Sequence, residues 1–327
     1  MAHPIRWGIL GTGAIARKFA KGLQALPDIK LAAVGSRTQQ TAESFAEEYG
    51  FQKAHPNYIA LAQDPDVDVI YISTPHHLHC ENTLLCLRSG KHVLCEKPFA
   101  INAGEARRMI AEARKANLFL MEAMWTRFIP VIAKSREWIR DGRIGDARLV
   151  HADFGFQSRF DPQSRLFNPA YGGGSLLDVG VYPISFASMV FGGGPDHVSG
   201  AACIGETGVD EQAAMTLRYP GGRLAALSCA VRVETPHDAW ILGTEGKIRV
   251  HAPFWCATAV TLHVGGEAET VTLPHMTNGY EYQAMEVVRC IRNGEVESPV
   301  MPLDESLIVM ETMDHLRHQW GLKYPME

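Results

Sequence analysis

Four stretches of this 327-residue chain carry residue types at spacings that could do chemistry. The first is Gly11-Thr12-Gly13-Ala14-Ile15-Ala16. It follows the apolar run Ile5–Leu10 and precedes Ala16, Phe19, Ala20 and Leu23, which recur at near-helical spacing. A strand, a G-x-G-x-x-A turn and a helix in that order form a dinucleotide-binding fingerprint. Gly11 permits the tight turn, Gly13 lets the backbone approach a pyrophosphate, and the small Ala16 allows close helix–strand contact. The N–H groups of Ala14 and Ile15 sit at the positive end of the helix dipole, where an anion is favoured.

The second stretch closes the next strand and reads Ser36-Arg37-Thr38. Folds that prefer NAD usually place a carboxylate about 20 residues after the glycines, on the ribose 2′-hydroxyl. No carboxylate stands here. Arg37 can pair with a 2′-phosphate and stack on adenine, and Ser36 and Thr38 can donate hydrogen bonds to it. The stretch predicts NADP rather than NAD.

The third is Glu96-Lys97-Pro98, after the fourth strand candidate. Ligands of doubly wound sheets lie at the carboxyl ends of strands, so the Lys97 ammonium is expected to face nicotinamide and substrate. The fourth is the glycine run 172–174 followed by Asp178 and Tyr182, at i and i+4 on one helical face. Asp178 there serves either as a site carboxylate or as a helix N-cap.

These residues need a frame. The first third alternates strand candidates (Ile5–Leu10, Lys30–Gly35, Val67–Ser73, His92–Cys95, Leu118–Met121) with helical runs. That predicts a doubly wound parallel sheet. From Leu149 onward eight short alternating runs predict an open mixed, largely antiparallel sheet, interrupted by one helix from about 176 to 191. The expected class is α/β, a Rossmann domain followed by an α+β domain. The expected division is 1–123 for the cofactor domain, 124–303 for the substrate and dimerisation domain, and 304–327 for a final helix.

Composition sets outer limits. Hydrophobic residues are 46% and charged residues 20%, which excludes a disordered chain. A net charge of −5 gives no global drive toward nucleic acid. No apolar run reaches the roughly 18 residues of a membrane span, and the first ten residues show no signal-peptide pattern. Seven cysteines without a C-x-x-C pair read as reduced thiols of a cytoplasmic protein. His76, His77 and His79 lack companions for a metal site, so no metal is expected.

The chain resembles the glucose-fructose oxidoreductase, inositol dehydrogenase and rhizopine-catabolism (Gfo/Idh/MocA) family over essentially its whole length. The resemblance lies in the glycine turn, Ser73-Thr74-Pro75, Glu96-Lys97-Pro98 and the G-G-G-x-L-x-D-x-G run at 172–180. The run from Phe119 through Trp125 and Arg127, Tyr182 and the Ser36-Arg37 pair are similar to its dimeric dihydrodiol dehydrogenase and NADP-dependent D-xylose dehydrogenase branch. Inositol dehydrogenases carry histidine in place of Tyr182, which weakens an inositol assignment.

The resemblance implies a Rossmann domain holding NADP and a second domain covering the nicotinamide. It implies a homodimer through the open sheet, a final helix returning to the first domain, and a cis peptide before Pro98. It places Ser73, Thr74, Pro75, His79 and Glu96 around the cofactor and makes Lys97 and Tyr182 the catalytic pair. A phenol titrates near 10, and a neighbouring ammonium would lower that value. Tyr182 is then the proton-transfer group with Lys97 as its electrostatic partner; the reverse assignment stays open. Asp178 would orient Lys97 or bind a substrate hydroxyl. Trp125 and Arg127 are counted with the cofactor-binding residues, where they either wall the site or serve packing. The expected activity is hydride transfer between NADP and a sugar, a sugar-derived carbonyl or a cyclic trans-diol. The alternatives are a sugar–sugar hydride shuttle that retains its cofactor, and a non-catalytic cofactor sensor.

Overall fold

The computed structural model describes residues 3–327. Its first part runs β1 (Ile5–Leu10), α1 (Ala14–Gln24), β2 (Ile29–Gly35), α2 (Gln39–Tyr49), β3 (Lys53–His55), α3 (Tyr58–Ala62), β4 (Val69–Ile72), α4 (His79–Arg88), β5 (His92–Glu96), α5 (Ala103–Ala116) and β6 (Leu120–Ala123). The six strands form one parallel sheet in the order β3-β2-β1-β4-β5-β6. Strand β4 is fully buried, as a parallel strand covered on both faces must be. Helix α1 turns Ala16, Phe19, Ala20 and Leu23 into the core. Thr38 accepts the Thr41 N–H at the start of α2, and left-handed Gly50 ends that helix. The short edge strand β3 is an addition to the expected pattern. Lys53-Ala54-His55 has no apolar run to announce it and is held by pairing with β2.

The second part contains α6 (Pro130–Arg140), β7 (Ala147–Gly155), α7 (Val181–Phe191), β8 (His197–Ile204), β9 (Asp210–Tyr219), β10 (Arg223–Ala230), β11 (Ala239–Gly243), β12 (Gly246–Val250), β13 (Ala259–Val264) and β14 (Glu267–Thr272). Helices α8 (Glu281–Arg292) and α9 (Leu303–Gln319) follow. The eight strands form a sheet in the order β14-β13-β12-β11-β7-β10-β9-β8. Only β7 and β10 pair in parallel, so the sheet is mixed and largely antiparallel as expected. In β9, Ala213, Met215, Leu217 and Tyr219 are buried while Gln212, Ala214, Thr216 and Arg218 are exposed. The tract from Pro169 to Phe191 has the length and apolarity of a membrane span, but 89% of its most apolar window is buried inside the protein. It is a core element of this sheet.

Contacts divide the chain into two units, and the division departs from the expected one after residue 275. The first unit holds Met1–Ala100, Gly104–Trp125 and Met276–Ser306; the second holds Ile101–Ala103, Thr126–His275 and Leu307–Glu327. The segment with α8 belongs to the Rossmann unit: Asn278 donates to the Lys18 carbonyl on α1 at 2.8 Å, and Leu120 N–H of β6 donates to the Val296 carbonyl. The first turn of the final helix, to Ser306, lies in that unit too, where Asp304 pairs with Arg114 of α5 at 2.8 Å, and the rest of the helix belongs to the second unit. Gln319 and Trp320 donate to the carbonyls of Val198 and Gly200 on β8, which fastens that end of the chain to the second sheet.

Candidate active site

In the first unit, strand register gathers the predicted residues. Gly35, Leu10, Ile72 and Cys95 align across β2, β1, β4 and β5. Ser36, Gly11, Ser73 and Glu96 are therefore each the next residue at the carboxyl edge. The strand order reverses between β1 and β4, which is where such sheets bind ligands. Gly11 has φ +102°, and a Cβ there would come within 3.0 Å of Ser73 Oγ. Ser73 donates to the carbonyls of Leu10 and Gly11, bracing the turn. A Cβ on Gly13 would meet nothing within 4 Å, so the turn opens onto free space. No side chain caps α1 there and no acid lies in its first turn. Ala16 is fully buried beneath it. This uncapped, open helix end fits a pyrophosphate.

At the neighbouring strand end, Ser36 is buried, and its hydroxyl meets those of Thr41 at 2.7 Å and Thr12 at 3.1 Å. Thr38 Oγ1 lies 2.8 Å from Thr41 Oγ1. Arg37 is exposed and makes no hydrogen bond or ion pair among the described residues. A cation beside four hydroxyls, with no carboxylate among them, is a donor set for a phosphate.

On the other side of the switch point, His79 is buried between two carbonyls, Nδ1 2.8 Å from Pro98 O and Nε2 2.8 Å from Thr74 O. Burial pushes its imidazole down to about 4. Asn82 donates to Thr74 Oγ1, while Pro75 is exposed. The Lys97–Pro98 peptide is cis, as the family resemblance implied. Phe99 N–H donates to the buried Glu122 carboxylate on β6. Glu96 does not open onto the edge as its predicted role suggested: it is 5% exposed, accepts the Tyr71 hydroxyl on Oε1 and folds Oε2 back to Lys97 N–H. Lys97 itself is partly exposed. Trp125 is buried and stacks on Tyr280 at 4.2 Å and 11°, which makes it a packing residue of the first unit.

In the second unit, Leu176–Gly180 forms a π-helical turn that runs directly into α7. Val181 N–H reaches back to Leu176 O, five residues earlier. Pro183, which has no N–H to give, follows at the third position of α7. Asp178 lies within this turn and does not cap it. Its carboxylate, 6% exposed, pairs with Arg165, Nη1 to Oδ1 at 2.7 Å and Nη2 to Oδ2 at 3.5 Å. Asp178, then Tyr182, hold the guanidinium in its charged form. The N-terminal anchor of the turn is instead Asp210, whose Oδ2 accepts Leu176 N–H at 2.6 Å and Ser175 Oγ at 2.7 Å. Gly174, at φ +117°, is the only residue type that fits above it, because a Cβ would fall 2.2 Å from Asp210 Oδ1. Tyr324 donates to Gly173 O behind the same turn.

Arg127 is 3% exposed and locked to α7, donating to Ser185 O at 2.7 Å and to Ser185 Oγ at 3.1 and 3.0 Å. It fixes the helix that carries Tyr182. Two aromatic residues that no motif announces, Phe154 and Trp255, lie beside Tyr182, and His237 packs behind them. Phe154 and Trp255 stack with centroids 3.3 Å apart at 4°, Phe154 lies 5.3 Å from the Tyr182 ring, and His237 stands edge-on to Trp255 at 4.7 Å. Phe154 was concealed as one apolar position of a strand; Trp255 and His237 sit in connections with no motif.

The description "Oxidoreductase family, NAD-binding Rossmann fold" matches residues 5–124, and "GFO/IDH/MocA C-terminal domain" matches residues 132–249. The chain belongs to the Gfo/Idh/MocA family. It is 39% identical over 334 residues to mouse trans-1,2-dihydrobenzene-1,2-diol dehydrogenase, covering 99% of each chain. Among solved structures it is similar to an aldose-aldose oxidoreductase from Caulobacter crescentus complexed with glycerol, at TM-score 0.89 and 27% identity over 97% of each chain. It is also similar to a 3-ketoreductase from Actinomadura kijaniata in complex with NADP and TDP-benzene, at TM-score 0.84 and 28% identity, covering 97% of this chain and 98% of that one. The Gfo/Idh/MocA membership accounts for both units and for the motifs on which the site was read.

Proposed function

We propose that this Gfo/Idh/MocA protein is an NADP-dependent dehydrogenase acting on a CH–OH group of a cyclic trans-diol or a sugar. The observation that carries the cofactor choice is the edge of β2, where Arg37 is free among the hydroxyls of Ser36, Thr38 and Thr41 and no carboxylate opposes a 2′-phosphate. Gly11, Gly13, Ala14, Ile15 and Ala16 would hold the pyrophosphate. The bound nicotinamide supplies a hydride acceptor or donor. Tyr182 exchanges the proton of the reacting hydroxyl, and Lys97 donates to the same oxygen and favours the phenolate. The stacked Phe154–Trp255 wall beside Tyr182 offers a flat apolar face to a ring. The names of the relatives support a dihydrodiol or a sugar. The free cysteines, five of them buried, support a reducing, cytoplasmic setting.

The test is turnover. With NADP⁺ and a panel of trans-dihydrodiols, D-xylose and D-glucose, absorbance at 340 nm should rise for at least one member. Tyr182→Phe should lower kcat by about 100-fold or more. A Tyr182→Phe variant with near wild-type turnover removes the proton-transfer role.

The aldose-aldose neighbour favours one second reading, a shuttle that passes hydride between two sugars on a retained cofactor. Turnover of paired sugars by freshly purified protein without added nucleotide would select it.

We further propose that the exposed face of the second sheet, with Ala214, Thr216, Leu224 and Ala226 outward on β9 and β10, meets a second copy of the chain. Small side chains and an apolar centre suit a flat isologous contact.

A further inference from the structure

Glu96 is a buried carboxylate with both oxygens engaged inside the first unit. The Tyr71 hydroxyl donates to Oε1, and Lys97 N–H donates to Oε2 at 3.2 Å. A carboxylate is planar, so fixing one oxygen orients the other. Tyr71 has no room to move. It is fully buried on β4, its ring stacks on Phe19 at 3.8 Å and 23°, and Trp7 tilts against Phe19 at 5.4 Å. Phe19 belongs to α1, the helix opened by the glycine turn. A continuous set of contacts thus runs from the nucleotide-binding helix through a phenol and a carboxylate to the Lys97 backbone.

We propose that Tyr71 is a positioning residue that acts on Lys97 through the Glu96 carboxylate, and that this pair sets the acidic limb of the pH–rate profile. The inference rests on the role given to Lys97 above. An ionised Glu96 accepts the Lys97 N–H and holds the backbone that carries the ammonium group. A protonated carboxyl accepts more weakly and loosens that hold. Burial pushes Glu96 up to about 7, and Lys97 and the Tyr71 hydroxyl oppose that rise. Two of the groups near it titrate outside that range. Burial holds the Cys95 thiol neutral and drives His79, which meets this segment through Pro98 O, down to about 4. Glu122 of β6 contacts the segment through Phe99 N–H.

The test is the pH dependence of kcat/KM in wild type, Tyr71→Phe, Glu96→Gln and Lys97→Met. Tyr71→Phe keeps the ring and its stack on Phe19 and removes one donor to the carboxylate. The acidic limb should move up by about one pH unit. Activity should fall about tenfold at pH 6 and return to within about twofold of wild type above pH 8.5, with NADPH affinity unchanged. Glu96→Gln should erase this limb, and it serves as the test if Tyr71→Phe does not fold. A Tyr71→Phe profile that does not move, or a loss uniform across pH, overturns the proposal. Lys97→Met must abolish turnover. If it does not, the role of Lys97 fails; if it does while Tyr71→Phe and Glu96→Gln leave the limb in place, only this inference fails.

Discussion

Arg165 clamps Asp178 two-pronged, with the shorter arm at 2.7 Å, and the Asp178 side chain is almost wholly enclosed while that of Arg165 is 55% exposed. A half-open cation held by a closed anion is a fixed charge at the rim of the Tyr182 turn. Residues that work as one unit lose function together, not additively. Arg165→Met and Asp178→Asn should each lower kcat/KM by about tenfold or more, about 1.4 kcal/mol. The double variant should be no worse than the more impaired single one. Full additivity in the double-mutant cycle would separate the two residues.

Arg127 separates structure from ligand binding. Three hydrogen bonds run from it to Ser185, three residues after Tyr182 on α7. Removing the guanidinium leaves the buried Ser185 acceptors unsatisfied, which costs about 1–3 kcal/mol. Arg127→Met should therefore lower the denaturation midpoint and kcat while leaving the NADPH dissociation constant within about twofold. Tenfold weaker NADPH binding at unchanged stability would instead assign Arg127 to the cofactor.

Asp210 predicts a pH-dependent stability. Burial pushes its carboxyl up to about 6, from about 3.9 in the unfolded chain. Between those values the native state holds a proton that the unfolded state has released. Its contribution to stability accordingly falls as pH rises through that window and is level above it. The change amounts to roughly 3 kcal/mol. Asp210→Asn keeps an acceptor for Leu176 N–H and removes the titration. The difference in unfolding free energy between wild type and variant should shift by about that amount between pH 3 and pH 7. A constant difference across the range would show that Asp210 does not titrate there.

The proposed dimer is open to one substitution. Ala226→Arg places a long cation at an exposed position of β10 and should yield monomers in sedimentation velocity without changing thermal stability by more than a few degrees. Dimers that persist would move the interface elsewhere.

Much of this was legible from sequence, and the gaps have physical causes. The parallel sheet followed from apolar runs alternating with helical ones, and strand register then brought Gly11, Ser36, Ser73 and Glu96 to one edge. Position along a strand is local information, so those residues could be found. The direction a side chain takes is not. Glu96 and Arg127 sit where the motifs place them, yet both turn inward to Tyr71 and Ser185, partners 25 and 58 residues away. The Phe154–Trp255 wall joins residues about a hundred apart with no shared pattern. The last helix shows the same limit. Its sequence does not say which elements it meets, and the structure gives Arg114 of α5 to Asp304 at one end and β8 to Gln319 and Trp320 at the other.

The central claim is the phosphate site at Ser36-Arg37-Thr38, and fluorescence titration with NADPH and NADH tests it most directly. NADPH should bind at least about 100-fold more tightly, a difference near 2.7 kcal/mol, and Arg37→Ala should erase most of that preference. Equal binding of the two cofactors, or a preference that survives Arg37→Ala, would contradict the account.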